Sequence, residues 1–149
     1  MNPDQHIRLL QLAYANVLAD AVLQMTIEGV LERVTERKRQ EQIEQGAAKA
    51  ANFGITSPED VFTALGTAFG CTTWTVTPRG DGVEAETGSC LLCALAKQKG
   101  ADSPCRLYCL DPMVGMVKGL DPGAEMKVHE TLWNGSACRV EVRRLKGTH

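Results

Sequence analysis

The chain has 149 residues, with 16 Lys and Arg against 18 Asp and Glu, a formal charge of −2 and 5% aromatic side chains. That balance leaves no basic surplus for a phosphate backbone, and so few aromatics give no stacking platform for single strands. Nucleic acid is therefore not an expected partner, and the length suits one domain over residues 1–149 that buries its own core without disulfides.

Asn2 and Pro3 look like an N-cap and a first helical residue. Apolar residues then recur with helical spacing at Ile7, Leu10, Tyr14, Val17, Ala21 and Met25, and Leu9, Leu18 and Val22 widen the stripe. Asp20 interrupts the run before it could span a bilayer, and no secretory signal is evident, so a cytoplasmic protein with reduced thiols and no membrane contact is expected. Gly29 kinks or ends the helix, and a second helical stretch turns polar between Glu32 and Glu44, as a solvated face would. An apolar surface this wide on the first helix fits either a central core helix or burial against a second copy, so residues 1–45 are read as helices with a dimerisation role.

GAAKAANFGITS breaks the helical pattern. Ser57, with Pro58, Glu59 and Asp60 behind it, resembles a capping box, and the helix it starts carries Val61, Phe62, Leu65 and Phe69 up to Gly70. CTTWTVTP and VEAETG alternate as strands around the turn RGDG. Leu91 to Lys97 forms a short helix stopped by Gly100, and Asp111–Pro112 starts another in which small Gly115 faces a close neighbour. Two strands, EMKVHETLW and ACRVEVRRL, finish the chain, and Asn134–Gly135 between them predicts a tight type I′ hairpin. The expected fold is α+β: an antiparallel sheet of about four strands, helices packed on one side, and an N-terminal helical segment ahead of a core over residues 57–149.

Four of the six cysteines fall between Cys90 and Cys109, in CLLCALAKQKGADSPCRLYC. A C-x2-C pair followed by a C-x3-C pair puts Cys90, Cys93, Cys105 and Cys109 in reach of one ion. Soft thiolates in a reduced compartment select zinc or an iron–sulfur cluster. The alternatives are buried apolar cysteines, among the most buried residue types, and redox or catalytic use. Cys71, at the head of a strand, is read as packing.

YCLDPMVGMVKGL and VHETLWNGSACRVEV resemble the end of the four-vinyl-reductase-type small-molecule-binding domains, over about residues 105–143. The same stretch is similar to the aminothiazoline carboxylate hydrolase-like proteins. In the sensor members of the first family a cysteine, a glutamate on the next strand and two later cysteines hold zinc. The resemblance carries that role onto Cys109, Glu130 and Cys138, while the remaining position falls near Trp133, which cannot ligate. Two ligand sets stay open: Cys90, Cys93, Cys105 and Cys109, or Cys109, Glu130 and Cys138 with one more cysteine.

No nucleophile elbow, P-loop or dinucleotide fingerprint is present. His6 and His149 lie near termini, and His129 sits on a strand, where a structural role is commoner than a catalytic one. A ligand pocket is expected around Trp74, Met113, Met116 and Trp133. The leading expectation is a small-molecule-binding or sensor-like domain with a structural metal and no chemistry of its own. The alternatives are a cysteine-dependent hydrolase of the second family and an iron–sulfur protein.

Overall fold

A computed structural model describes residues 1–144. Helix α1 (Pro3–Ile27) opens with a reciprocal cap: Asn2 Oδ1 accepts from the Gln5 backbone N–H at 2.9 Å, and Gln5 Oε1 accepts from the Asn2 N–H at 3.0 Å. It ends at Gly29, whose φ of 70° suits only glycine comfortably. Helix α2 (Leu31–Asn52) follows and is longer than its sequence pattern suggests. GAAKAAN, expected to break the helix, is its last two turns, because Gly46 and Ala50 are buried there by tertiary contact.

Helix α3 (Asp60–Phe69) starts after a turn in which the Asp60 N–H reaches Ser57 O at 3.0 Å. The expected capping box is absent. The Ser57 hydroxyl bonds the Glu59 carboxylate instead, and no side chain caps α3. Gly70 closes α3 with φ 68°. Strands β1 (Thr75–Arg79) and β2 (Gly82–Thr87) form the first hairpin, helix α4 (Leu91–Lys99) ends at Gly100 with φ 77°, and a π-helical turn (Arg106–Leu110) runs into α5 (Asp111–Leu120). Strands β3 (Ala124–Glu130) and β4 (Cys138–Arg144) complete the sheet, whose order is β1-β2-β4-β3, antiparallel throughout. The α+β architecture read from the sequence is the one observed.

Two expectations about local structure are corrected. Asp111 is no helix cap, since the chain is already helical from Cys105. Pro112 has no N–H to donate, and its ring would crowd the Tyr108 carbonyl. A widened turn, in which the Asp111 N–H bonds Arg106 O, relieves both problems. Asn134–Gly135 is no type I′ turn either. Neither residue has positive φ, and residues 131–137 form a longer loop in which the Gly135 N–H reaches Thr131 O at 2.8 Å. Leu145 and His149 lie outside the described residues.

The sheet separates its side chains by alternation. Val83, Ala85, Val140 and Val142 face inward onto Val61, Phe62, Met113, Met116 and Val117 of α3 and α5. Glu84, Glu141, Arg143 and Arg79 face outward, with the ion pairs Arg79–Glu84 at 3.4 Å and Arg143–Glu141. Behind α5 lies α2, and the two backbones nearly touch. A Cβ on Gly46 would sit 1.8 Å from Gly115 O, and one on Gly115 would sit 2.1 Å from Gln42 O. The close neighbour expected for Gly115 is therefore α2. Helix α1 packs on α4 through a separate small cluster of Val22, Ala96 and Ala101.

Candidate functional site

The tight α2–α5 crossing leaves α1 and α3 to pack beside it. A cavity of about 390 Å³ lies between them. Its wall is mostly apolar: Tyr14 and Leu18 from α1, Phe53 after α2, Leu65 and Phe69 from α3, and Trp74 ahead of β1. Tyr14 stacks on Phe69 with ring centres 5.3 Å apart, and Phe62 meets Trp74 edge to face at 5.3 Å, so the aromatic wall is braced. Met113 and Met116 line the cavity as the sequence suggests. Trp133 does not. It packs with the Val22 cluster, under the Lys97 ammonium 5.3 Å from its ring centre. Lys38, Gln42 and Lys49 add a few polar groups, and Lys49 makes no ion pair among the described residues.

The sulfur chemistry is gathered at one side of this cavity. Cys71, Cys90 and Cys109 line it, and Cys71, Cys90 and Cys93 also line an open surface pocket with Lys97 and Leu132. The Cys93 and Cys105 Sγ atoms are 3.5 Å apart. Cys138 is close enough to feel charge on Cys105, Cys90 and Glu130, and Cys109 feels Cys90, Cys138, Cys105 and Cys71. The one sulfur–sulfur contact among the described residues is Cys93–Cys105, and the other cysteines lie around it. The stretch Cys90–Cys109 supplies four of the six, Cys138 comes from β4, and Cys71 arrives because its carbonyl accepts the Leu91 N–H at 2.8 Å, tying the chain after α3 to the start of α4. Sequence spacing gave no sign of that last arrival.

The thiols are not equivalent. Cys90 is the N-cap of α4. A hydrogen bond from Cys93 holds its thiol down to about 6; burial opposes this, and the Cys93 and Leu92 backbone N–H groups reinforce it. Cys105 is pulled down to about 7, first by Cys93, against burial, then with help from the Ser103 hydroxyl. Cys93, between two sulfur partners, keeps its proton, and its pKa is driven up. Burial pushes Cys109 well up and Cys138 up to about 11.

Sulfur is the donor that zinc and iron–sulfur clusters take, so the set fits either by element. It does not fit by arrangement: among the described residues no group of three or more Cys, His, Asp or Glu side chains is placed to hold an ion. His129 offers nothing to the thiols, because its Nε2 lies 2.8 Å from Glu141 Oε2 on the charged outer face of the sheet, at a bulge between Val128 and Glu130. A Cys–His129 pair is therefore absent. No helix among the described residues is long and apolar enough to cross a membrane. No known protein family, curated protein or solved structure matches this chain.

Proposed function

We propose that the chain is a small-molecule-binding, sensor-like domain whose ligand occupies the cavity between α1, α3 and α5. The observation that carries this reading is the cavity itself. Its volume of about 390 Å³ lies in the range of ligand sites, and its wall is aromatic and aliphatic with a few polar groups. A core packed only for stability would close such a space, because unfilled volume costs stability. The resemblance of residues 105–143 to four-vinyl-reductase-type domains points the same way. A cytoplasmic setting that keeps the thiols reduced belongs to this reading.

A second copy of the chain is the proposed partner of α1. Ile7, Leu10 and Val17 are 52, 58 and 65% exposed along one helical stripe, which water covers poorly. Zinc on the clustered thiols is the competing proposal for the sulfur site and is supported by donor type alone.

Thermal denaturation with a neutral bicyclic probe, 2-naphthol, tests the binding reading. A ligand that binds only the folded state adds about 2.7 kcal/mol at 100 times its Kd. The wild-type midpoint should rise with probe concentration, and that of Leu18→Trp, which fills the cavity, should not. Equal behaviour of the two proteins would contradict the reading.

A further inference from the structure

We propose that Cys90, Cys93 and Cys105 form a dithiol–disulfide exchange centre that reduces small-molecule disulfides entering the open pocket beside α4. This goes beyond ligand binding in the cavity and stands or falls separately from it. The geometry divides the labour. Cys90 lines the open pocket as the N-cap residue of α4. Cys93 lies one turn on, in the same pocket and only 7% exposed. Cys105 approaches Cys93 from the other side at 3.5 Å, so a bond between them needs roughly 1.5 Å of closure to the ~2.05 Å of a disulfide. An attacking thiol open to the pocket, a sheltered resolving thiol and a third thiol in contact with the second form a relay. They do not form a shell around a point, in keeping with the lack of a three-ligand group among the described residues.

The chemistry balances without a metal. The Cys90 thiolate attacks one sulfur of the substrate R–S–S–R; that bond breaks, Cys90 carries a mixed disulfide, and RS⁻ leaves and takes up a proton. Cys93 loses its proton to water and attacks the Cys90 sulfur, giving the Cys90–Cys93 disulfide and a second RSH. Cys105 then attacks Cys93, moves the bond to Cys93–Cys105 and frees Cys90. The substrate gains the electron pair that the protein gives up, and a low-molecular-weight dithiol restores the reduced chain.

The test uses the full chain, reduced and treated with chelator, and bis(2-hydroxyethyl) disulfide as probe. The expected result is release of both halves of the probe as mercaptoethanol and a protein disulfide that maps to Cys90–Cys93 or Cys93–Cys105. Cys93→Ser should stop after the first half and hold a stable mixed disulfide on Cys90. Cys90→Ser should react on the order of tenfold more slowly, as expected when the most reactive thiol is lost. A wild-type chain that reacts no faster than free cysteine, or a disulfide that maps elsewhere, would overturn the proposal, and this mapping needs no variant to fold. So would stoichiometric zinc retained through anaerobic purification with thiols unreactive until it is chelated, which would favour the metal. Failure here with 2-naphthol still bound would leave the cavity reading intact, and the reverse holds equally.

Discussion

The Sγ atoms of Cys93 and Cys105 lie 3.5 Å apart although twelve positions separate them in the chain. The contact joins the first turn of α4 to the residue that opens the π-helical segment before α5. The Cys105 backbone N–H also donates to Ser103 Oγ at 3.2 Å, which fixes the entry to that turn. Cys93→Ala should therefore loosen the α4–α5 joint by about 1–3 kcal/mol, a buried small-side-chain loss with a hydrogen-bond partner left behind. An unchanged denaturation midpoint would show that the contact adds nothing to folding.

The α2–α5 crossing gives a sharper stability prediction. Gly46→Ala or Gly115→Ala puts a methyl group on top of a carbonyl, so the helices must separate, at a cost of about 1–3 kcal/mol or more. Gly88→Ala, with nothing within 4 Å of the added carbon, should be close to neutral. Urea titration of the three variants checks this, and equal midpoints would contradict the close approach.

The partly buried Cys138 thiol predicts a pH effect. Its folded pKa, up to about 11, lies above the ordinary value, so its contribution to stability is full below the unfolded value and is lost as pH rises through about 11. Between pH 8 and pH 11 wild type should lose on the order of 1 kcal/mol more than Cys138→Ala, after allowing for solvent screening at a half-exposed site. Parallel loss in both proteins would contradict the shift.

For Cys90 the sign is opposite. With a thiol held down to about 6, alkylation by iodoacetamide should reach half its maximal rate near that pH. Mass mapping against pH measures it, and a half-maximum near the ordinary thiol value of about 8.5 would contradict the proposed donors.

The apolar stripe on α1 makes a claim about assembly. Sedimentation of the wild-type chain should give a dimer, and Val17→Glu, at a residue 65% exposed, should give a monomer of unchanged helicity. A wild-type monomer at working concentration would leave the stripe without a partner.

Much of the fold was legible because its signals are local. The period of Ile7, Leu10, Tyr14 and Val17, the helix-closing Gly70 and Gly100, and the alternation of β2 each act within a few residues. The failures have tertiary causes. Gly46 reads as a helix breaker until Gly115 packs against it, and Asp111–Pro112 reads as a helix start until the preceding turn is seen to widen around the proline. Asn134–Gly135 carries a hairpin signal, but β3 ends at Glu130, too early for a two-residue turn. At the site, Cys90, Cys93, Cys105 and Cys109 announce themselves by spacing. Cys71 joins them only through the hydrogen bond from Leu91, and Trp133 leaves the expected pocket because the loop after β3 carries it to Lys97.

The central claim is that the cavity takes a ligand, and Trp74 on its wall reports that directly. Replacing Trp133 by Phe leaves Trp74 as the one tryptophan, and its fluorescence can be followed while 2-naphthol is added. Binding in the cavity predicts quenching that saturates at one probe per chain and is lost when Leu18→Trp is read by calorimetry instead. Quenching that rises linearly without saturation, with no heat of binding in either protein, would contradict the account.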